Sequence, residues 1–145
     1  MTENKVTQNI SQEKCVIILN NDLPLGQAAN AAAVIALTIG QRHPELVGSP
    51  LIDATNVSHP GLIPIGVTVL STSVETMRNV REKACELLHI DLIDFPIQGQ
   101  QTKDYDAFLH AVSKTPLPDM IYSGLALVGN KKAISKLVAK LDLFG

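Results

Sequence analysis

The sequence predicts a single α/β domain in which helices sandwich a mixed sheet of about four strands, and three observations carry that reading. Short apolar runs rich in β-branched residues alternate with segments of helical periodicity. The chain has 145 residues, one domain by size and long enough to bury a core without disulfides or metals. It is 46% apolar but only 3% aromatic, which suits Ala, Val, Ile and Leu on helices packed closely against a sheet.

Residues 1–13 are polar and lack the basic start and apolar stretch of a secretory signal, so they read as a flexible leader to a domain spanning 14–145. Cys15-Val-Ile-Ile-Leu19 is a continuous apolar run bounded by Asn20-Asn21-Asp22, as expected of a strand buried on both faces. From about Leu25 an alanine-rich helix follows, with Pro24 tolerated at its start and Gly40 and Pro44 marking its end. Residues 42–62 are punctuated by Pro44, Gly48, Pro50, Pro60 and Gly61 and read as an irregular excursion with room for one short edge strand.

Ile65 to Leu70 is a second strand, after which Thr72 and Glu75 form a capping-box signature for a helix with Val74, Met77, Val80, Ala84, Leu87 and Leu88 on its apolar stripe. Ile90 to Phe95 is a third strand with Asp91 and Asp94 facing outward. Gln98 to Thr102 reads as a loop, and Tyr105, Phe108, Leu109 and Val112 have helical spacing behind a Thr102 cap. Tyr122 to Val128 is a fourth strand, Gly129-Asn130 a turn, and Ala133 to Leu141 a last helix.

Charge narrows the function classes. With 12 basic and 14 acidic residues the molecule has no overall attraction for phosphate backbones, so nucleic acid is not an expected partner. No apolar run approaches the ~20 residues that cross a bilayer, and the two cysteines, Cys15 and Cys85, read as reduced packing residues. These features place the protein in the cytoplasm. No His or Cys pair stands at ligand spacing, so neither metal nor cofactor is expected. A homo-oligomer is admitted on general frequency.

The run Asn21-Asp-Leu-Pro-Leu-Gly-Gln-Ala-Ala-Asn30 resembles the opening of type 2 peptidyl-tRNA hydrolases in Asp22, Leu23, Gly26, Ala28 and Ala29. The closing Gly124-Leu-Ala-Leu-Val-Gly129 and Leu141-Asp-Leu-Phe144 are similar to that family's last strand and end. The likeness is closer still to domain-of-unknown-function family 2000, grouped with those hydrolases by fold, through the Asp-Leu-Pro start and His59-Pro60-Gly61. The resemblance implies a type 2 peptidyl-tRNA hydrolase-like fold. It does not carry the activity across. Asn20 stands at the hydrolases' strand-end Arg, Gln27 at their lysine and Ala33 at their helix histidine, and Asp94 and Thr102 miss the spacing of their third-strand loop.

What remains at the helix start is Asn20, Gln27 and Asn30, with Asp22 the only charge. Amides both donate and accept, so these residues suit a pocket for a small polar ligand; Asn20, Asn21 and Asp22 equally suit plain turn chemistry. Asp53-Ala-Thr-Asn-Val-Ser-His59 gathers an acid, hydroxyls, an amide and an imidazole in one loop, placing Ser58 and His59 among the ligand-binding candidates. His59 is the candidate acid/base of an alternative small-ester or amide hydrolase or transferase, with a residue merely preceding a turn proline as the structural alternative. Lys131 and Lys132 read as solvated surface.

Overall fold

The structure, a computed structural model, describes residues 12–145; the leader expected over residues 1–13 falls, up to residue 11, outside the described residues. Its centre is β1 (Glu13–Asn20) beside β6 (Tyr122–Asn130), two strands buried along almost their whole length. They pair antiparallel from Glu13–Asn130 to Leu19–Gly124. On the other side of β1 runs the parallel β4 (Thr68–Thr72), with β7 (Asp142–Leu143) antiparallel at that edge and β5 (Ile90–Pro96) antiparallel at the opposite edge beside β6. The order is β5-β6-β1-β4-β7, a mixed sheet.

Alternation along β1 divides the core. Cys15, Ile17 and Leu19 meet the buried line Ala28, Ala31, Ile35 and Ile39 of α1 (Leu25–Arg42). Val16 and Ile18 face Met77, Val80 and Ala84 of α2 (Val74–Cys85), together with Ile134 of α5 (Lys131–Leu137). The sheet therefore lies between helical layers. Gly124 lets α1 approach closely, since a Cβ there would stand 2.9 Å from Ile35 Cδ1 and 3.0 Å from Ile18 O.

The fifth strand exceeds the expected number because the last helix stops at Leu137 and the chain returns through Asp142-Leu143, too short a strand to leave a periodic signal. β4 starts at Thr68 rather than Ile65: Ile65 packs into the α1-side core, and Gly66 turns the chain at φ 73°. Thr72 is spent on β4, so α2 is capped by Ser73, whose Oγ accepts from Thr76 N at 3.2 Å. Gln98–Gln101 forms one helical turn, α3, instead of a loop. Asp104 replaces Thr102 as cap of α4 (Tyr105–Ser113), accepting from Ala107 N, while Thr102 Oγ1 donates to Gln98 O.

Two further readings change. The excursion after α1 holds a small ribbon of β2 (Leu51–Ile52) and β3 (Ser58–His59), paired with each other rather than with the main sheet. The expected turn at Gly129-Asn130 is instead the end of β6, and Asn130 Oδ1 then caps α5 by accepting from Ala133 N. Cys15 is a packing residue as expected, its thiol pKa pushed up to about 11 by burial; Cys85 is exposed at the end of α2, and both are free. Among the described residues no helix is long and apolar enough to cross a membrane.

Gly129 has φ 147°, and a Cβ on it would stand 2.1 Å from His89 O, the carbonyl that accepts from Asn130 N. Gly129→Ala should therefore cost at least ~1–3 kcal/mol from the backbone conformation alone. A urea titration measures it; a loss near zero would contradict the tight β5–β6 approach.

Candidate functional site

Asn20 ends β1 as a residue only 3% exposed. Its Nδ2 donates to Tyr122 O at 3.2 Å and its Oδ1 accepts from Asp22 N at 2.9 Å, so one amide joins the first residue of β6 to the turn entering α1. Backbone bonds from Asn21 N to Thr72 O and from Leu23 N to Asn20 O complete the turn. Asn20 thus carries the turn chemistry, and Asp22, Gln27 and Asn30 stand exposed around the helix head.

A second amide closes this end of the molecule. Gln100 of α3 donates through Nε2 to Gln27 O at 2.7 Å and to Asn30 Oδ1 at 3.2 Å, while its Oε1 accepts from the fully buried Ser123 hydroxyl at 2.8 Å. Asn30, Gln100 and Ser123 are therefore one hydrogen-bonded chain. Beside it Gln98 Nε2 donates to Thr115 Oγ1, and Gln98 Oε1 is buried without a partner. Sequence reasoning missed Gln100 and Ser123. The density of amides in Gln98-Gly-Gln-Gln101, just past a strand end, was the available signal.

His59 and Ser58 sit on the exposed ribbon. His59 Nε2 pairs with Asp53 Oδ2 at 2.8 Å, and Asp53 Oδ1 accepts from Thr55 N, Thr55 Oγ1 and Val57 N. The Thr55 hydroxyl first, then His59 and the two backbone N–H groups, hold the Asp53 carboxyl well below the usual carboxylate range. No hydrogen bond among the described residues joins His59 to Asn20, Asp22 or Asn30.

A third constellation lies near the start of β1. Arg42, at the end of α1, grips Asp91 of β5 through Nε at 2.8 Å and Nη2 at 2.9 Å, and His43 Nε2 meets the same carboxylate at 2.6 Å. His43 Nδ1 lies 3.4 Å from Glu45 Oε1. A cavity of about 600 Å³ opens here, lined by Glu13, His43, Glu45, His89, Asp91 and neighbouring apolar residues. The outward-facing reading of Asp91 left its helix-end partners unseen. Asp94 is likewise engaged, by Arg81 Nε at 2.8 Å, with that guanidinium 5.5 Å from the Tyr122 ring centre. Among the described residues no three His, Cys, Asp or Glu side chains gather as a metal would need.

A family described as "Protein of unknown function (DUF2000)" matches residues 13–144. A solved structure of a protein of unknown function, Atu0240 from Agrobacterium tumefaciens strain C58, is similar to this chain with a TM-score of 0.83 at 21% identity, covering 92% of this chain and 98% of that one. At that identity the likeness concerns the fold. No curated protein matches.

Two stability predictions follow from these bonds. Gln100→Leu leaves the buried Ser123 hydroxyl without its acceptor and should cost ~1–3 kcal/mol in chemical denaturation; an unchanged midpoint would mean the chain of bonds does not form. Asp91 is held below its ordinary pKa chiefly by the Arg42 hydrogen bonds. Its contribution is complete above a carboxylate's ordinary value of ~4 and is lost as pH falls through the depressed folded value. Asp91→Asn should be less stable than the parent at pH 7, with the difference closing in acid; a difference that persists at low pH would remove ionisation as its cause.

Proposed function

The chain belongs to the DUF2000 family, and from that footing we propose that it is a cytoplasmic binding protein for a small polar ligand, seated at the head of α1. The observation that carries this reading is the Asn30–Gln100–Ser123 chain. It holds the helix head in place from a buried hydroxyl outward, a rigid support of the kind a polar recognition site needs. Asp22, Gln27 and Asn30 supply the ligand-facing rim, and Asn20 positions the turn beneath them through Tyr122 O and Asp22 N. Side-chain amides offer donor and acceptor together, so the favoured ligand presents the same pairing, as a carboxamide or a nucleobase edge does.

Kinship with type 2 peptidyl-tRNA hydrolases belongs to this proposal. Its support is the matched turn-and-helix residues Asp22, Leu23, Gly26, Ala28 and Ala29. The neutral Asn20, Gln27 and Ala33, at the places of that family's basic groups, argue against turnover of peptidyl-tRNA by the same mechanism, because the proton carrier and the electrostatic hold on the substrate are both gone.

A second reading has its own support in the His59–Asp53 pair. A carboxylate kept ionised by three further donor contacts orients the imidazole through Nε2, which leaves Nδ1 to take a proton from water attacking a small ester or amide. Asn20 is a poor oxyanion donor in such a scheme, since both ends of its amide are already bonded. Ser58 is the neighbouring polar contact on the ribbon.

The test is a thermal-shift screen with nucleotides, amino acids and their acyl conjugates. A ligand at a hundred times its Kd stabilises by about 2.7 kcal/mol, and Gln27→Ala or Asn30→Ala should abolish the shift. Absence of any shift across the set counts against the binding reading. For the hydrolase reading, turnover of p-nitrophenyl esters should fall by ~10²–10⁴ in His59→Ala; equal rates in parent and variant dismiss it.

A further inference from the structure

The two helical layers are surfaced in opposite ways. The twelve residues of α2 include the exposed Glu75, Glu82 and Lys83, as a water-facing helix should. The eighteen residues of α1 carry one charge, Arg42, at the very end. Opposite its buried line, α1 exposes Leu25 at 74% and Leu37 at 80%, with Ala29, Ala33 and Ala36 exposed between them and Val34 at 42%. The excursion, whose Ile63 and Ile65 pack into the same α1-side core, adds exposed Leu51, Ile52 and Leu62.

From this asymmetry we infer that the apolar face of α1 formed by Leu25, Ala29, Ala33 and Leu37, with the adjoining excursion, is the interface with a second copy of this chain. Area is the first argument. The exposed apolar residues on this side add up to an area on the order of the ~800 Å² per partner that a standard interface buries, well above what isolated surface leucines supply. Self-complementarity is the second. Leu25 and Leu37 stand twelve residues, about 18 Å, apart along the helix, with alanines between. Two such helices laid antiparallel about a twofold axis set each copy's leucines over the other's alanines, the same patch serving both subunits.

Charge is the third. A formal charge of −2 opposes self-association only weakly, and the α1 part of the face has no charged side chain before Arg42. Residues 1–11 are a poor cover for this face, because they offer only Met1, Val6 and Ile10 as sizeable apolar side chains.

Sedimentation velocity on the full chain at tens of micromolar tests the interface. The parent should run at twice its 15.6 kDa mass. Leu37→Glu should run as a monomer with an unchanged far-UV spectrum, and Lys136→Glu, on the opposite layer, should remain a dimer. Leu25→Lys, at an equally exposed position, repeats the test should Leu37→Glu fail to fold. A monomeric parent, or a dimer that survives both α1 substitutions, overturns the inference.

Discussion

A strand covered on both faces can keep polar groups only at its ends. β1 and β6 lie side by side under helices on both faces, and their pairing with each other, of β1 with β4 and of β6 with β5 consumes their backbone donors and acceptors. Between those ends the side chains are apolar, each large one contributing about 1.5–3 kcal/mol by burial. Among the described residues the buried polar side chains are Asn20 and Ser123, and both stand at the same end of this strand pair. Every other element is placed by that arrangement. α1 must come close enough to cover β6, which Gly124 permits, while the turn before it and Gln100 of α3 land where Asn20 and Ser123 are satisfied.

That requirement separates what was legible in the sequence from what was not. Cys15 to Leu19 and Leu125 to Val128 announce themselves, since two-sided burial leaves a continuous apolar run, and α1 and α2 appear through composition and stripe. β7 was not legible, because two residues have no period. The capping shift from Thr72 to Ser73, and from Thr102 to Asp104, illustrates the limit of local pattern: several side chains nearby can cap, and the backbone register chooses among them.

The candidate site was half legible for a related reason. Asp22, Gln27 and Asn30 sit in one stretch of chain and could be grouped by eye. Their support could not, since Gln100 is 73 residues from Gln27 and 70 from Asn30. Arg42 and His43 reach Asp91 across 49 and 48 residues. Local sequence carries the polar character of such residues but not their pairing, which appears only when the sheet order brings β5 beside β6 and α1 across both. The Asp53–His59 pair spans six residues in one loop, which is why it could be suspected from the sequence.

Asn20 joins the architecture to the chemistry. At 3% exposure its place suits a neutral group that bonds Tyr122 O on one side and Asp22 N on the other. An arginine there would have to carry its charge out past the turn or bury it at a cost of several kcal/mol. An amide at this position instead tightens the turn and binds it to β6. Asn20 therefore adds a structural bond beneath the helix head and no charge to it. With Gln27 and Ala33 also neutral, the residues that set the turn and the close packing of α1 leave the helix head without a basic group.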